Sequence, residues 1–271
     1  MLHEGYIDKV YYRFWETDGA VANVFAIHGL GGHCIWFDNA GNVFNRNNIN
    51  LFSFDLPGFG QSKYPKGVIT SYKDWIDITF LTLENFLTGF KVSAPVFILG
   101  HSMGSLIAVL LSKRVKTNGW ILSVPGFEGN RETWPLFSLV FPILLKAVFN
   151  PKENLMLPFG PELLTKNKET QYKVKKDLLR VTNVSAGVYK NVYFMTKAAK
   201  KAAKSLKEPV LMLIAGKDKV CSIQAMEDCF SELESQDKSK KIYTSSFHDL
   251  FIEDEIDQVA TDIAVWVKER V

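Results

Sequence analysis

A chain of 271 residues with 47% apolar and 13% aromatic content can bury a large core, which excludes a disordered or fibrous polypeptide. Its 32 Lys and Arg against 29 Asp and Glu leave a formal charge of +3, too small over the whole length for a nucleic-acid scaffold. Three cysteines, Cys34, Cys221 and Cys229, form neither a close pair nor an even set, which argues against a disulfide framework or a structural zinc site and for a reducing compartment.

In chain order, the first residues carry charges at Glu4, Asp8, Lys9 and Arg13, leaving no apolar stretch for a signal peptide, so a cytoplasmic protein is expected. Residues 6–16 read as a strand or hairpin. The apolar run 21–27 then stops at His28-Gly29-Leu30-Gly31-Gly32, as a strand running into a glycine loop would. A helix is expected near 35–45. A second strand at 49–55 is broken by Leu56-Pro57-Gly58-Phe59-Gly60. From Ser71, the residues Trp75, Ile78, Thr79, Thr82, Leu83, Phe86 and Leu87 recur at helical spacing, with Ser71 and Asp74 set as a capping box.

The longest stretch without Asp, Glu, Lys or Arg, 92–112, contains Pro95, Gly100, His101, Ser102, Gly104 and Ser105. These residues fit a buried strand at 95–99, a tight turn and a helix at 103–114 better than a membrane span. A strand at 120–124 follows. The alternation implies a mostly parallel sheet flanked by helices. It lapses from 127 to 207, where every regular segment reads as helical, and resumes with strand 209–215, helix 226–233, strand 241–245 and helix 257–270. The expected organisation is one α/β core, 1–126 with 208–271, interrupted by a helical insertion at 127–207.

The insertion is chemically uneven. Residues 133–145 carry no charge and include Trp134, Phe137, Leu139, Val140, Phe141, Ile143 and Leu144, with Pro135 and Pro142 interrupting. Residues 165–207 hold twelve Lys or Arg against two Asp or Glu, a net of +10. Two readings stand: solvated helix faces over a core, or contact with an anionic interface, where each basic residue is worth about 1 kcal/mol. Nucleic acid is the poorer partner.

The chemistry centres on Gly100-His101-Ser102-Met103-Gly104. A nucleophile at a sharp strand-to-helix turn needs small residues two before and two after it, and Gly100 and Gly104 meet that need around Ser102. Of His3, His28, His33, His101 and His248, only His248 lies beyond Ser102, in a loop after a strand where open α/β sheets gather their sites. His28 and His101, beside glycine turns, read as hydrogen-bonding supports. Thirteen acids lie between Ser102 and His248, and Asp218 alone follows a strongly apolar strand, with Gly216 at the turn. It is the expected orienting acid. Asp249 reads as a loop stabiliser, and Cys221, three residues after Asp218, as a small buried residue or a thiol near the site mouth. The N–H groups of Leu30 and Met103 are the expected oxyanion donors.

Taken together, His28-Gly29-Leu30-Gly31, Asp55-Leu56-Pro57-Gly58-Phe59-Gly60-Gln61-Ser62, Gly100-His101-Ser102-Met103-Gly104, Gly216-Lys217-Asp218-Lys219-Val220 and Phe247-His248 resemble the serine-hydrolase branch of the α/β-hydrolase superfamily, near its monoacylglycerol lipases and lysophospholipases. The resemblance implies an α/β-hydrolase fold with a helical cap over an acyl pocket and a catalytic Ser102, Asp218 and His248. It implies a fatty-acyl ester substrate cleaved through an acyl-enzyme, with no metal and no organic cofactor. An acyltransferase or thioesterase would use the same three residues. Peripheral membrane contact through the apolar, basic cap is a further expectation.

Overall fold

The computed structural model describes residues 1–135 and 139–271, so Phe137 lies outside the described residues. The chain opens with a hairpin, β1 (Leu2–Ile7) and β2 (Val10–Trp15), and continues through β3 (Ala22–Ile27), a 3₁₀ turn at Cys34–Phe37, α1 (Asp38–Arg46), β4 (Ile49–Phe54), α2 (Tyr72–Gly89), β5 (Val96–His101), α3 (Met103–Leu111) and β6 (Gly119–Ser123). After the segment that follows, β9 (Val210–Ala215), α8 (Ile223–Glu232), β10 (Lys238–Tyr243) and α9 (Ile256–Lys268) complete it. The strands form one sheet in the order β1-β2-β4-β3-β5-β6-β9-β10. β1 pairs antiparallel with β2, and β2 with β4; the remaining pairs are parallel. This is the α/β-hydrolase fold.

The sequence accounts for the layering. β3 and β9 are buried at every residue because helices cover both faces of the sheet, and their unbroken apolar runs reflect it. Beneath α2, the rings of Phe14, Phe25, Phe52 and Phe86 pack together, with Phe52 and Phe86 centroids 4.2 Å apart and Phe25 and Phe52 stacked at 5.2 Å. α2 starts where its capping box predicts: Ser71 Oγ accepts from Lys73 N at 3.2 Å, and Asp74 Oδ2 accepts from Ser71 N at 3.0 Å.

Among the boundaries that differ from the sequence reading, two have a clear physical reason. The last strand begins at Lys238 rather than 241, because β10 is a sheet edge whose lysines hide its periodicity while discouraging pairing with another chain. α3 ends at Leu111 rather than 114, where Ser112 folds its hydroxyl back onto the Val109 carbonyl at 2.7 Å.

Between β6 and β9 lie α4 (Phe141–Phe149), β7 (Asn154–Met156), α5 (Pro161–Leu164), α6 (Lys168–Lys176), β8 (Asn183–Ser185) and α7 (Ala186–Ala203). The segment is therefore not all helical: β7 and β8 pair antiparallel. Three-residue strands whose partners are so far apart in sequence leave no alternation to read. Pro142 lies in the first turn of α4, where its missing N–H is tolerated. α7 lies along α3, which brings the segment against the helix that follows Ser102.

Removing the cap of α2 gives a direct check on this local reading. Ser71→Ala is expected to lower unfolding free energy by about 1 kcal/mol in a denaturant titration, with activity per folded molecule unchanged.

Candidate active site

The site begins at the end of β5. Ser102 sits at φ 53°, ψ −115°, a backbone conformation that L-residues avoid, at the start of α3. Side chains on either flank would abolish the turn: a Cβ on Gly100 would meet Ser105 Cα at 2.4 Å, and one on Gly104 would meet the Ile27 carbonyl oxygen at 2.1 Å. Ser105 Oγ locks the turn by donating to the Gly100 carbonyl at 2.6 Å.

Asp218 follows β9 and His248 follows β10, so neighbouring parallel strands deliver both to the same sheet edge as Ser102. Ser102 Oγ lies 3.0 Å from His248 Nε2, and His248 Nδ1 lies 2.8 Å from Asp218 Oδ2. The other Asp218 oxygen accepts from Val220 N at 2.8 Å and Cys221 N at 2.9 Å. With its carboxylate so engaged, Asp218 accepts a hydrogen bond from His248 Nδ1–H, which keeps the proton on Nδ1 and leaves Nε2 to accept from the serine hydroxyl. All three side chains are buried. Burial by itself pulls the His248 pKa down, but the Asp218 charge and hydrogen bond, then the Asp249 charge, outweigh it and leave the imidazole above its ordinary 6.5.

The loop after β3 lies against the serine: a Cβ on Gly29 would stand 3.1 Å from Ser102 Cβ, and Gly31 adopts φ +82°. His28 props this loop as a neutral ring. It donates from Nδ1 to the Gly29 carbonyl at 2.8 Å and accepts at Nε2 from Leu56 N at 3.0 Å, and burial drops its pKa to about 4. Asp55 does parallel work in the next loop, accepting from Cys34 N at 2.8 Å and Gln61 N at 2.6 Å. Leu30 and Met103 line the same cavity as Ser102.

Segment 127–207 grips both loops, a feature the sequence did not disclose. The Asp177 carboxylate accepts from His33 Nε2 at 2.6 Å and Trp36 Nε1 at 3.0 Å, and Val181 N donates to the Gly31 carbonyl at 3.0 Å. Burial pushes the Asp177 pKa up, but these bonds prevail and hold it at about 2. On the other side, the Leu164 carbonyl accepts from Asp249 N at 2.8 Å, and buried Glu253 accepts from Phe247 N at 2.6 Å and Thr165 Oγ1 at 2.7 Å. These partners lie 88 and 144 residues apart, and no local pattern announces them.

A cavity of about 700 Å³ opens beside Ser102. Its walls are mostly apolar and include Leu106, Trp134, Ile143, Leu144, Phe159 and Val192. Cys221 also lines it, but is buried, and burial with the Asp218 charge pushes its thiol well above the usual range, so it is protonated rather than a reactive thiolate. Ligand-type atoms of Asp218, Cys221 and His248 lie within 4.8 Å of one another. That donor set suits a metal poorly, since Asp218 and His248 are committed to each other and the thiol keeps its proton. Asp249 does not compete for His248 Nδ1, which Asp218 occupies; one of its oxygens accepts from Phe251 N at 3.1 Å, the loop-stabilising bond expected of it.

The fold and this constellation define the class as an α/β-hydrolase. The profile of the family Hydrolase_4 (serine aminopeptidase, S33) matches residues 18–255, and the chain belongs to that family. It is 27% identical over 267 residues to the monoglyceride lipase of Rattus norvegicus, covering 96% of this chain and 86% of that protein. It is 26% identical over 252 residues to phospholipase YtpA of Bacillus subtilis, covering 90% and 94%. Among solved structures, a soluble variant of the Saccharomyces cerevisiae monoglyceride lipase, in complex with a substrate analogue, superposes with a TM-score of 0.87 at 21% identity, covering 100% of this chain and 96% of that one. The monoacylglycerol lipase of Paleococcus ferrophilus gives 0.84 at 22%, covering 97% and 99%. The chain is a monoacylglycerol-lipase-like carboxylic ester hydrolase.

The grip on the first loop can be tested alone. Asp177→Ala strands the buried His33 Nε2 and the Trp36 N–H, and is expected to cost about 1 to about 3 kcal/mol in chemical denaturation.

Proposed function

We propose that this chain hydrolyses fatty-acyl esters of the monoacylglycerol or lysophospholipid type through an acyl-enzyme on Ser102. The observation that carries the proposal is the apolar cavity of about 700 Å³ that begins at the Ser102 hydroxyl and is walled by residues of α3, α4 and α7. That volume is within the range of small-molecule sites, roughly 300–1,000 Å³, and its walls suit an alkyl chain. Segment 127–207 then acts as a cap over the acyl pocket, and 1–126 with 208–271 as the hydrolase core. The names of the relatives, monoglyceride lipases and a phospholipase, favour the same substrate class.

In the proposed reaction Ser102 Oγ attacks the ester carbonyl carbon as His248 Nε2 takes the hydroxyl proton. Asp218 holds the imidazole in the required tautomer and stabilises the imidazolium. The N–H groups of Leu30 and Met103 receive the oxyanion, each such donor contributing about 10²-fold or more to turnover. The C–O bond to the alcohol breaks, and the imidazolium returns its proton to the departing glycerol or lysophospholipid headgroup oxygen. Water, giving its proton to His248 Nε2, then attacks the acyl carbonyl; the bond to Ser102 Oγ breaks, the imidazolium returns the proton to Oγ, and the fatty acid leaves. No step calls for a metal or an organic cofactor.

The exposed face of the cap supports contact with a lipid surface. Phe149 is 85% and Leu178 98% exposed, Phe141, Val148, Met156 and Phe194 are also exposed, and α6 and α7 of the same segment carry many of its basic residues. No helix among the described residues is long and apolar enough to cross a membrane.

Release of fatty acid from a panel of p-nitrophenyl esters, monoacylglycerols and lysophospholipids tests the substrate class. Serine-dependent release that peaks on medium or long acyl chains is expected, with Ser102→Ala lowering turnover by roughly 10⁶; release confined to short esters would refute the cap's role. Because the neutral imidazole is the working base and its pKa is raised, kcat/KM should fall as pH drops through a value above 6.5. A flat profile from about pH 5 to about pH 8 would contradict His248 as the base. Co-sedimentation with anionic vesicles that weakens with salt is expected, and no binding at low salt would remove the membrane contact.

A further inference from the structure

The residue before the serine pairs with the residue after the histidine. His101, the last of β5, places Nε2 3.3 Å from Asp249 Oδ2, and both side chains are buried. This second histidine–carboxylate pair lies directly beside the first, with the His101 and His248 rings 5.5 Å apart between centroids. It is fixed from every side. His101 Nδ1 lies 3.3 Å from Ser123 Oγ at the end of β6, and the edge of Phe251 meets the His101 ring at 5.5 Å. Asp249 accepts from Phe251 N at 3.1 Å and donates its own N–H to the Leu164 carbonyl at 2.8 Å.

A buried carboxylate is costly in lost hydration unless it is paired, so one that packing alone would favour as an apolar residue calls for another reason. Asp249 is not a spare for Asp218, which already holds His248 Nδ1 and two backbone N–H groups. We propose that the His101–Asp249 pair is a positioning clamp for the reaction: it ties the turn that carries Ser102 to the loop that carries His248, and sets a second negative charge beside the imidazole that takes the serine proton. His101 and Asp249 act through Ser102 and His248 and touch no reacting atom. The groups facing His248 are Asp218 and Cys221 from the turn after β9, Ser102 and His101 from the end of β5, and Asp249 on its own loop; on the remaining side the Leu163 carbonyl accepts from its backbone N–H at 3.4 Å.

The charges agree with the geometry. Burial raises the Asp249 carboxyl, but the charge of His101, its bond to His101 and the charge of His248 outweigh that and keep it below its ordinary 3.8, so it is ionised at neutral pH. That charge adds to Asp218's in lifting His248. The clamp rests on the serine-hydrolase reading above.

The test uses Asp249→Asn, Asp249→Glu and His101→Gln, with active sites titrated and kcat and KM measured on a soluble p-nitrophenyl ester across pH. Asp249→Asn removes the charge but keeps the shape. It should lower kcat about 10-fold to about 100-fold with KM within about two-fold, and move the acid limb of kcat/KM down by about half a pH unit or more. Asp249→Glu, which keeps the charge, should hold the limb at its wild-type position. His101→Gln breaks the same clamp from its other end, so kcat should fall about 10-fold with KM within about two-fold. Wild-type kcat and limb in folded Asp249→Asn, or a loss of thermal stability alone, would overturn the clamp. If Asp249→Asn does not fold, folded His101→Gln decides: a kcat lowered about 10-fold upholds the clamp and a wild-type kcat overturns it. Activity surviving in Ser102→Ala would instead sink the serine-hydrolase reading itself, whereas a serine-dependent enzyme with an unmoved limb loses only the clamp.

Discussion

The arrangement depends on one backbone constraint, the left-handed turn at Ser102. A residue at φ 53°, ψ −115° is held there only if its surroundings leave no other course, and they do so by packing. Gly104 lets α3 start against the carbonyl of Ile27, and Gly100 lets the strand end against Ser105. The hydroxyl therefore projects above the sheet edge, while the parallel register of β6, β9 and β10 sets the turns carrying Asp218 and His248 beside it. The hydrogen-bonded series Ser102, His248, Asp218 follows from topology once that turn is fixed.

The second determinant is the long segment between β6 and β9. Through Asp177 and Val181 it holds the loop bearing Leu30, and through Leu163, Leu164 and Thr165 it holds the loop bearing His248. The same segment supplies Trp134, Ile143, Leu144 and Phe159 to the cavity wall. Lining and support thus come from one stretch of chain.

Much of this was legible in the sequence because it rests on local rules. The glycines around Ser102, the apolar run into Asp218, the glycine loop after β3 and the capping box at Ser71 each state their structure within a few residues. Three things were not legible. The strands β7 and β8 are too short to show a period, and the start of β10 is disguised by Lys238, Lys240 and Lys241 at a sheet edge. The clasps His33–Asp177 and Thr165–Glu253 join residues distant in sequence, and their chemistry is invisible until the chain folds. In sequence Asp249 reads as a loop stabiliser and His101 as a hydrogen-bonding support, which describes their bonds to Phe251 N and Ser123 Oγ, but nothing local pairs the two with each other.

The proposed chemistry turns on a covalent acyl-enzyme at Ser102, which can be observed directly. The enzyme would be mixed with a long-chain p-nitrophenyl ester, quenched in acid during turnover and examined by intact mass and peptide mapping. A mass increase equal to the acyl group is expected, confined to the peptide bearing Ser102 and absent from Ser102→Ala. An acyl group on any other residue, or steady turnover by Ser102→Ala, would contradict it.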